Sequence, residues 1–282
     1  MNSTGNRIAI GAGGNDGNGA ESGHVRIYEW NGNNWIQMGM DINGEASNDK
    51  SGFNNSVSMN SLGDRIAIGA FQNDGNGAES GHVRIYEWNG NNWIQVGQDI
   101  DGESTGDSSG WSISMNSLGD RIAIGATGND GNGAESGHVR IYEWDGINWI
   151  QMGMDIDGEA AGDKCGYSVS LNYSGDRIAI VAPLNDGIGT DRGHVRVYDW
   201  NGNNWVQLGA DIEGVTYAYD IEIVKIDSIG NHIAIGIVGN NNGNISSGIV
   251  RVLNWNGNNW GLKGQEIHGE AAYDWSGNSI SI

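Results

Sequence analysis

The six residues RIAIGA at Arg121–Ala126 also stand at Arg65–Ala70 and Arg7–Ala12, and they return as RIAIVA at Arg177–Ala182 and HIAIGI at His232–Ile237. The copies are spaced by 58, 56, 56 and 55 residues, so the 282-residue chain is one unit written five times, the mark of a repeat architecture. Ahead of each internal copy runs a Ser-rich alternation: SVSMNSLGD before Arg65, SISMNSLGD before Arg121, SVSLNYSGD before Arg177. Only MNSTGN precedes Arg7, while SGNSISI runs from Ser276 to Ile282. Joining the two ends restores a full unit, which predicts a ring whose last unit draws on both termini.

Each unit reads as four short strands. In the third copy, strand A is the alternation from Trp111 to Met115, strand B is RIAIGA, strand C is GHVRIYEW from Gly137 to Trp144, and strand D is NWIQMG from Asn148 to Gly153. The A–B connection NSLGD and the C–D connections NGNN and DGIN are short and rich in Asn, Asp and Gly, as hairpin loops are. Strand C alternates His138, Arg140, Tyr142 and Trp144 with Val139, Ile141 and Glu143, and neither face is plainly solvent-like. Such a sheet packs on both sides, as a propeller blade does. The predicted fold is all-β: a single five-bladed β-propeller domain over residues 1–282, with four-stranded antiparallel blades and a ring closed by the C-terminal strand joining the N-terminal blade. The blades cover 276–282 plus 1–42, 51–100, 109–156, 165–212 and 221–267.

Composition agrees with this reading. Forty-nine glycines against one proline suit many short strands joined by tight turns rather than helices. No run is long enough to span a membrane, and the N-terminal residues carry no signal-peptide pattern. A lone cysteine, Cys165, excludes an internal disulfide and reads as a small core residue.

The Gly-aromatic pairs Gly52-Phe53, Gly110-Trp111 and Gly166-Tyr167, each followed by a short alternating strand, a Gly-containing turn and IAIGA or its variant, resemble the FG-GAP repeat of integrin-type propellers. Ala182-Pro183, which holds the only proline, stands where that motif's Ala-Pro falls. The resemblance covers the whole chain and implies a propeller acting in adhesion or binding, extracellular or at the cell surface. The chain departs from integrin propellers in having five units rather than seven. In place of their Asp-rich calcium loop between strands A and B it has NSLGD or NYSGD, so the family's metal ligands do not transfer to that loop.

Charge locates the candidate site. In an antiparallel blade the B–C and D–A loops leave the same end. Those loops hold 24 acidic residues against Lys50, Lys164 and Arg192, which equals the whole formal net charge of −21. An acidic rim of this kind attracts cations and repels nucleic acid and anionic membranes. Within it, Asp99, Asp101, Glu103 and Asp107 occupy positions 1, 3, 5 and 9 of one D–A loop, and Asp155, Asp157, Glu159 and Asp163 repeat the spacing. This pattern can wrap oxygen ligands around calcium, the one cofactor the sequence suggests; solvated Asx turns explain the same residues without metal. The fourth copy keeps Asp211 and Glu213, then diverges at Val215.

Other recurring residues read as structure. NDGNG is turn chemistry, because no Lys follows it as a phosphate loop requires. His24, His82, His138 and His194 each lie beside an Arg on strand C and become Ile249 in the fifth copy, which suits packing or inter-blade hydrogen bonding. The tryptophan pairs, such as Trp88 and Trp93, read as cross-strand cover for outer blade edges, although aromatic faces also stack on sugars. Lys225 reads as a charge neutralising nearby acids. The fifth copy replaces the acidic B–C loop by NNNGN. No catalytic constellation emerges, so the sequence predicts a non-enzymatic, monomeric binding or adhesion module. Its partner would be a protein or glycan on a repetitive surface, met through a calcium-assisted acidic rim. The alternatives are a lectin with one sugar site per blade and a structural spacer of a larger surface protein.

Overall fold

A computed structural model describes residues 1–187, 189, 191–214, 221–238 and 247–282. Val215 and the NNNGN stretch at 240–244 lie outside the described residues. The chain packs into two compact units, Met1–Asn129 with Arg140–Met152, and Asp130–Val139 with Gly153–Ile282.

Five antiparallel sheets follow one another along the chain. In the third, Ser109–Met115, Arg121–Ala126, His138–Trp144 and Trp149–Gln151 lie in that order. The A strands of the other sheets are Val57–Met59, Ser168–Leu171 and Ile221–Ile226. In the first sheet Arg7–Ala12 pairs only with His24–Trp30, and residues 277–282 carry no strand. Ile10 there is 49% exposed, whereas Ile68, Ile124, Ile180 and Ile235, its counterparts, are at 1%. Strand B is buried on both faces wherever strand A covers it, as its uninterrupted apolar run requires.

Strand D is shorter than its sequence suggests. NWIQMG was expected to run as one strand, but the extended part stops at Gln95 and Gln151 because Gly97 and Gly153 turn the chain at φ +78 and +74. The next residues then fold back as a two-residue strand on the start of strand C, with His82 opposite Asp101 and His194 opposite Glu213. These turning glycines have a second task. Gly39 and Gly97 receive the six-membered rings of Trp88 and Trp144 from the following copy, and a Cβ at Gly97 would collide with that ring.

Two glycines of the repeat meet across neighbouring sheets. The Gly of IAIG and a Gly of the next copy lie backbone to backbone: Gly11 against Gly52 and Gly69 against Gly110, where the second glycine opens a Gly-aromatic pair, and Gly236 against Gly277, where Asn278 follows. A methyl group at Gly69 would overlap the Gly110 carbonyl oxygen. Val181 takes the first position in the fourth copy, and the fifth copy's sequence, TYAYDI, has no Gly-aromatic pair. In each unit an apolar core fills the space between sheets, built on Val25, Ile27, Ile66 and Ile68 and on Ile85, Ile113 and Ile122 in one, and on Val195, Val224, Ile233 and Ile235 in the other.

Candidate functional site

The A–B loops are closed by their own side chains. Asn60 Oδ1 accepts the backbone N–H groups of Asp64 and Arg65, while its Nδ2 donates to Asp64 at 2.7 Å. Asn172 and Asp176 repeat this clasp. Within a unit, neighbouring loops are also tied, Ser61 N–H donating to Ser117 and Arg65 Nη1 to Gly119. The Asp of each of these two loops is thus engaged by its own Asn.

The B–C and D–A loops form a joined acidic surface in each unit. Asn76 Nδ2 donates to the carbonyls of Gly102 and Glu103, and Asn132 does the same for Gly158 and Glu159. Carboxylates here divide into two kinds. Asp74 accepts the backbone N–H of Glu79, and the buried Asp107 accepts those of Glu103 and Ser104 at 3.0 and 2.9 Å. Asp163 treats Glu159 and Ala160 likewise and also receives Asn185 Nδ2. These are caps of the Asx type. The glutamates keep side-chain exposures of 47% at Glu45, 46% at Glu103, 47% at Glu159 and 62% at Glu135, even where one oxygen turns toward strand C.

The eight sequence-predicted ligands take different roles. Asp101 and Asp157 sit in the two-residue strands. Burial raises the pKa of each, the neighbouring Asp99 or Asp155 adds to the rise, and Arg140 or Arg196 partly offsets it. Asp107 and Asp163 point back into their loops as caps. Glu103 lies 3.6 Å from Arg140 Nη1. Asp99 and Glu159 turn toward the histidines of strand C, as does Asp155, 3.7 Å from His138 Nδ1.

There they meet a constellation that the sequence reading left as packing. His82 Nδ1 lies 3.9 Å from both Glu45 Oε2 and Asp99 Oδ2. His194 Nδ1 lies 3.9 Å from Glu159 Oε2 and from Asp211 Oδ2. Both rings are buried; burial, helped by Arg84 and opposed by Asp99 and Asp49, pushes the His82 pKa down to about 4. Burial also lowers that of His194. Beside each imidazole an arginine crosses to the preceding copy: Arg84 Nη2 donates to the Asn43 carbonyl and Arg196 Nη2 to that of Asp157, each guanidinium 5.7 Å from the ring of Tyr86 or Tyr198. Burial raises Tyr198 to about 12. The signal for this grouping was present in the sequence: Asp follows His by 17 residues in both copies, and Glu precedes it by 37 or 35.

The tryptophans pair across strands as expected, Trp88 and Trp93 at 5.4 Å between ring centres. They also join sheets, since Trp93 and Trp149 donate their indole N–H groups to the Met38 and Val96 carbonyls of the preceding copy. Exposures of only 9% and 2% take Trp93 and Trp149 out of reach of a sugar. Cys165 is fully buried, which drives its pKa up to about 11. Among the described residues, Lys225 makes no ion pair, and burial lowers its pKa.

No family profile and no curated protein matches the chain, so the FG-GAP likeness rests on its motif residues. Solved structures do match. The β-propeller domain of Cps50 (Swd1) from Myceliophteria thermophila aligns over 95% of this chain and 69% of its own, with TM-score 0.57 and 10% identity. A Bacteroides uniformis protein provisionally described as a 6-phosphogluconolactonase aligns over 89% and 66%, with TM-score 0.54 and 10% identity. TolB from Acinetobacter baumannii aligns over 92% and 53%, with TM-score 0.51 and 13% identity. The fold is a β-propeller of five repeated antiparallel blades. The chain spans two thirds or less of the length of the last two relatives, and at these identities the likeness concerns fold alone.

Proposed function

We propose that the protein is a non-catalytic binding module, extracellular or surface-displayed, that meets a repetitive partner through its acidic loops. The observation that carries this reading is the repeated, outward-facing set of loop glutamates: each unit presents similar carboxylates several times, on loops stiffened by their own Asp and Asn caps. Several equal, weak sites gain avidity only against a partner that is itself repetitive. Calcium is the cation this loop chemistry calls for, bridging the outward carboxylates to the partner or to one another.

An array carrying glycans and basic peptides, each spotted as single and as tandem copies, tests the proposal. The account expects calcium-dependent capture on tandem basic peptides, with single copies roughly a hundredfold weaker. Equal binding to single and tandem spots would overturn it. A lectin reading retains one specific support, the half-exposed Trp30 and Trp35, at 42% and 41%. Capture on glycans that is abolished by Trp35→Ala would favour that alternative.

A further inference from the structure

We propose that His82 with Glu45 and Asp99, and His194 with Glu159 and Asp211, are two divalent transition-metal sites, each built across a junction between consecutive repeats. Three observations carry this. The first is the unsatisfied imidazole: His194 is 99% buried, and neither of its ring nitrogens has a hydrogen-bond partner, although a buried polar atom normally has one. Its Nδ1 instead points between two carboxylate oxygens, each at 3.9 Å. That separation is too long for a hydrogen bond. It suits two ligands of a common ion, which at about 2.0–2.2 Å each lie at most about 4.4 Å apart.

The second observation is how the carboxylates are held. Gln207 Nε2 donates to Asp211 Oδ1 at 2.6 Å, leaving Oδ2 toward the histidine. Arg196 Nη1 stands 3.7 Å from Glu159 Oε1, leaving Oε2 toward the histidine with one bond from Asn185 Nδ2 at 3.3 Å. The other site repeats the plan, Gln95 donating to Asp99 Oδ1 and Arg84 Nη1 lying 3.3 Å from Glu45 Oε1. Partners on the far oxygens orient the near ones, as supporting residues do around metal ligands. In both groups the three candidate ligand atoms lie within 4.8 Å of one another, and the half-exposed Glu can close the remaining gap.

The third observation is an internal contrast. In the first copy His24 Nδ1 is 3.6 Å from Asp41 Oδ2, but there Arg26 takes that same oxygen at 2.8 Å. The complete arrangement needs a glutamate from the preceding repeat. One imidazole nitrogen with two carboxylate oxygens is an intermediate donor set, suited to zinc, cobalt, nickel or manganese rather than to calcium, which prefers six to eight oxygens.

Cobalt and zinc, added to tag-free protein stripped with a chelator, test the proposal. Cobalt should give a visible absorption band that zinc removes and that about 10 mM calcium leaves in place, calcium sites of extracellular modules being of about millimolar affinity. Zinc titration should find at least two ions per chain. Asp99→Asn with Asp211→Asn, at partly exposed positions, should lower the number by two while leaving the circular dichroism and melting transition of the metal-free protein unchanged. His82→Gln with His194→Gln should do the same, and if that pair misfolds the aspartate pair decides. No band in the parent, or a stoichiometry unchanged in the folded aspartate variant, would overturn the assignment.

Discussion

At the scale of single residues, the repeat is set by a few positions where no other side chain fits. Gly69 is one. Its backbone faces Gly110 of the next sheet, and Gly69→Ala should cost about 1–3 kcal/mol or more, because the collision is with backbone that cannot rotate away. Urea melts check this, with a midpoint equal to the parent's telling against the close approach. The sequence made the glycine's recurrence visible, and even its replacement by Val181, but not its partner, which is a contact between sheets. His82 is a second case. Its folded pKa of about 4 lies below its ordinary value near 6.5, so the unfolded chain binds the extra proton first. The associated stability is complete above pH 6.5 and is lost as pH falls through 4, up to about 3 kcal/mol. Metal-free protein should therefore lose stability between pH 7 and pH 4 more steeply than His82→Gln. Parallel profiles for the two would contradict the buried neutral ring.

At the scale of elements, strands B and C were legible because their apolar alternation recurs with little change. Strand D was misread as one run, since WIQVG and WIQMG give no hint that the glycine turns left-handed and sends the next residues back onto strand C. That turn decides the fate of the acidic loop. It places Asp101 and Asp157 within a ladder, while Asp107 and Asp163 cap backbone, so a spacing that looks like a calcium wrap becomes a partly structural set. Calcium at about 10 mM, acting on loop sites of about 1 mM affinity, should stabilise by about 1.4 kcal/mol per site, and magnesium by less. Asp101→Asn with Asp157→Asn should remove the difference between the two ions. Melts showing equal calcium and magnesium effects, untouched by these substitutions, would reduce the loops to a screened acidic surface.

At the scale of the molecule, the net charge of −21 was legible from the sequence, and strand order predicts which loops of a blade share an end. What the sequence could not show is which carboxylates remain available once caps and ion pairs are formed. Glu21 and Glu135 meet Lys50 and Lys164 at 2.7 and 2.9 Å, yet keep exposures of 52% and 62%. Such exposed pairs contribute little to stability, so these glutamates can serve a partner at small cost to the fold. The central claim is that the outward glutamates are there for recognition. It is tested most directly by measuring avidity for an immobilised tandem basic peptide against salt concentration, for the parent and for Glu21→Gln, Glu79→Gln and Glu135→Gln combined. The account predicts an unchanged melting transition in the variant, with avidity at least tenfold lower and a shallower dependence on salt. Avidity and salt slope equal to the parent's, in a variant that folds normally, would contradict it.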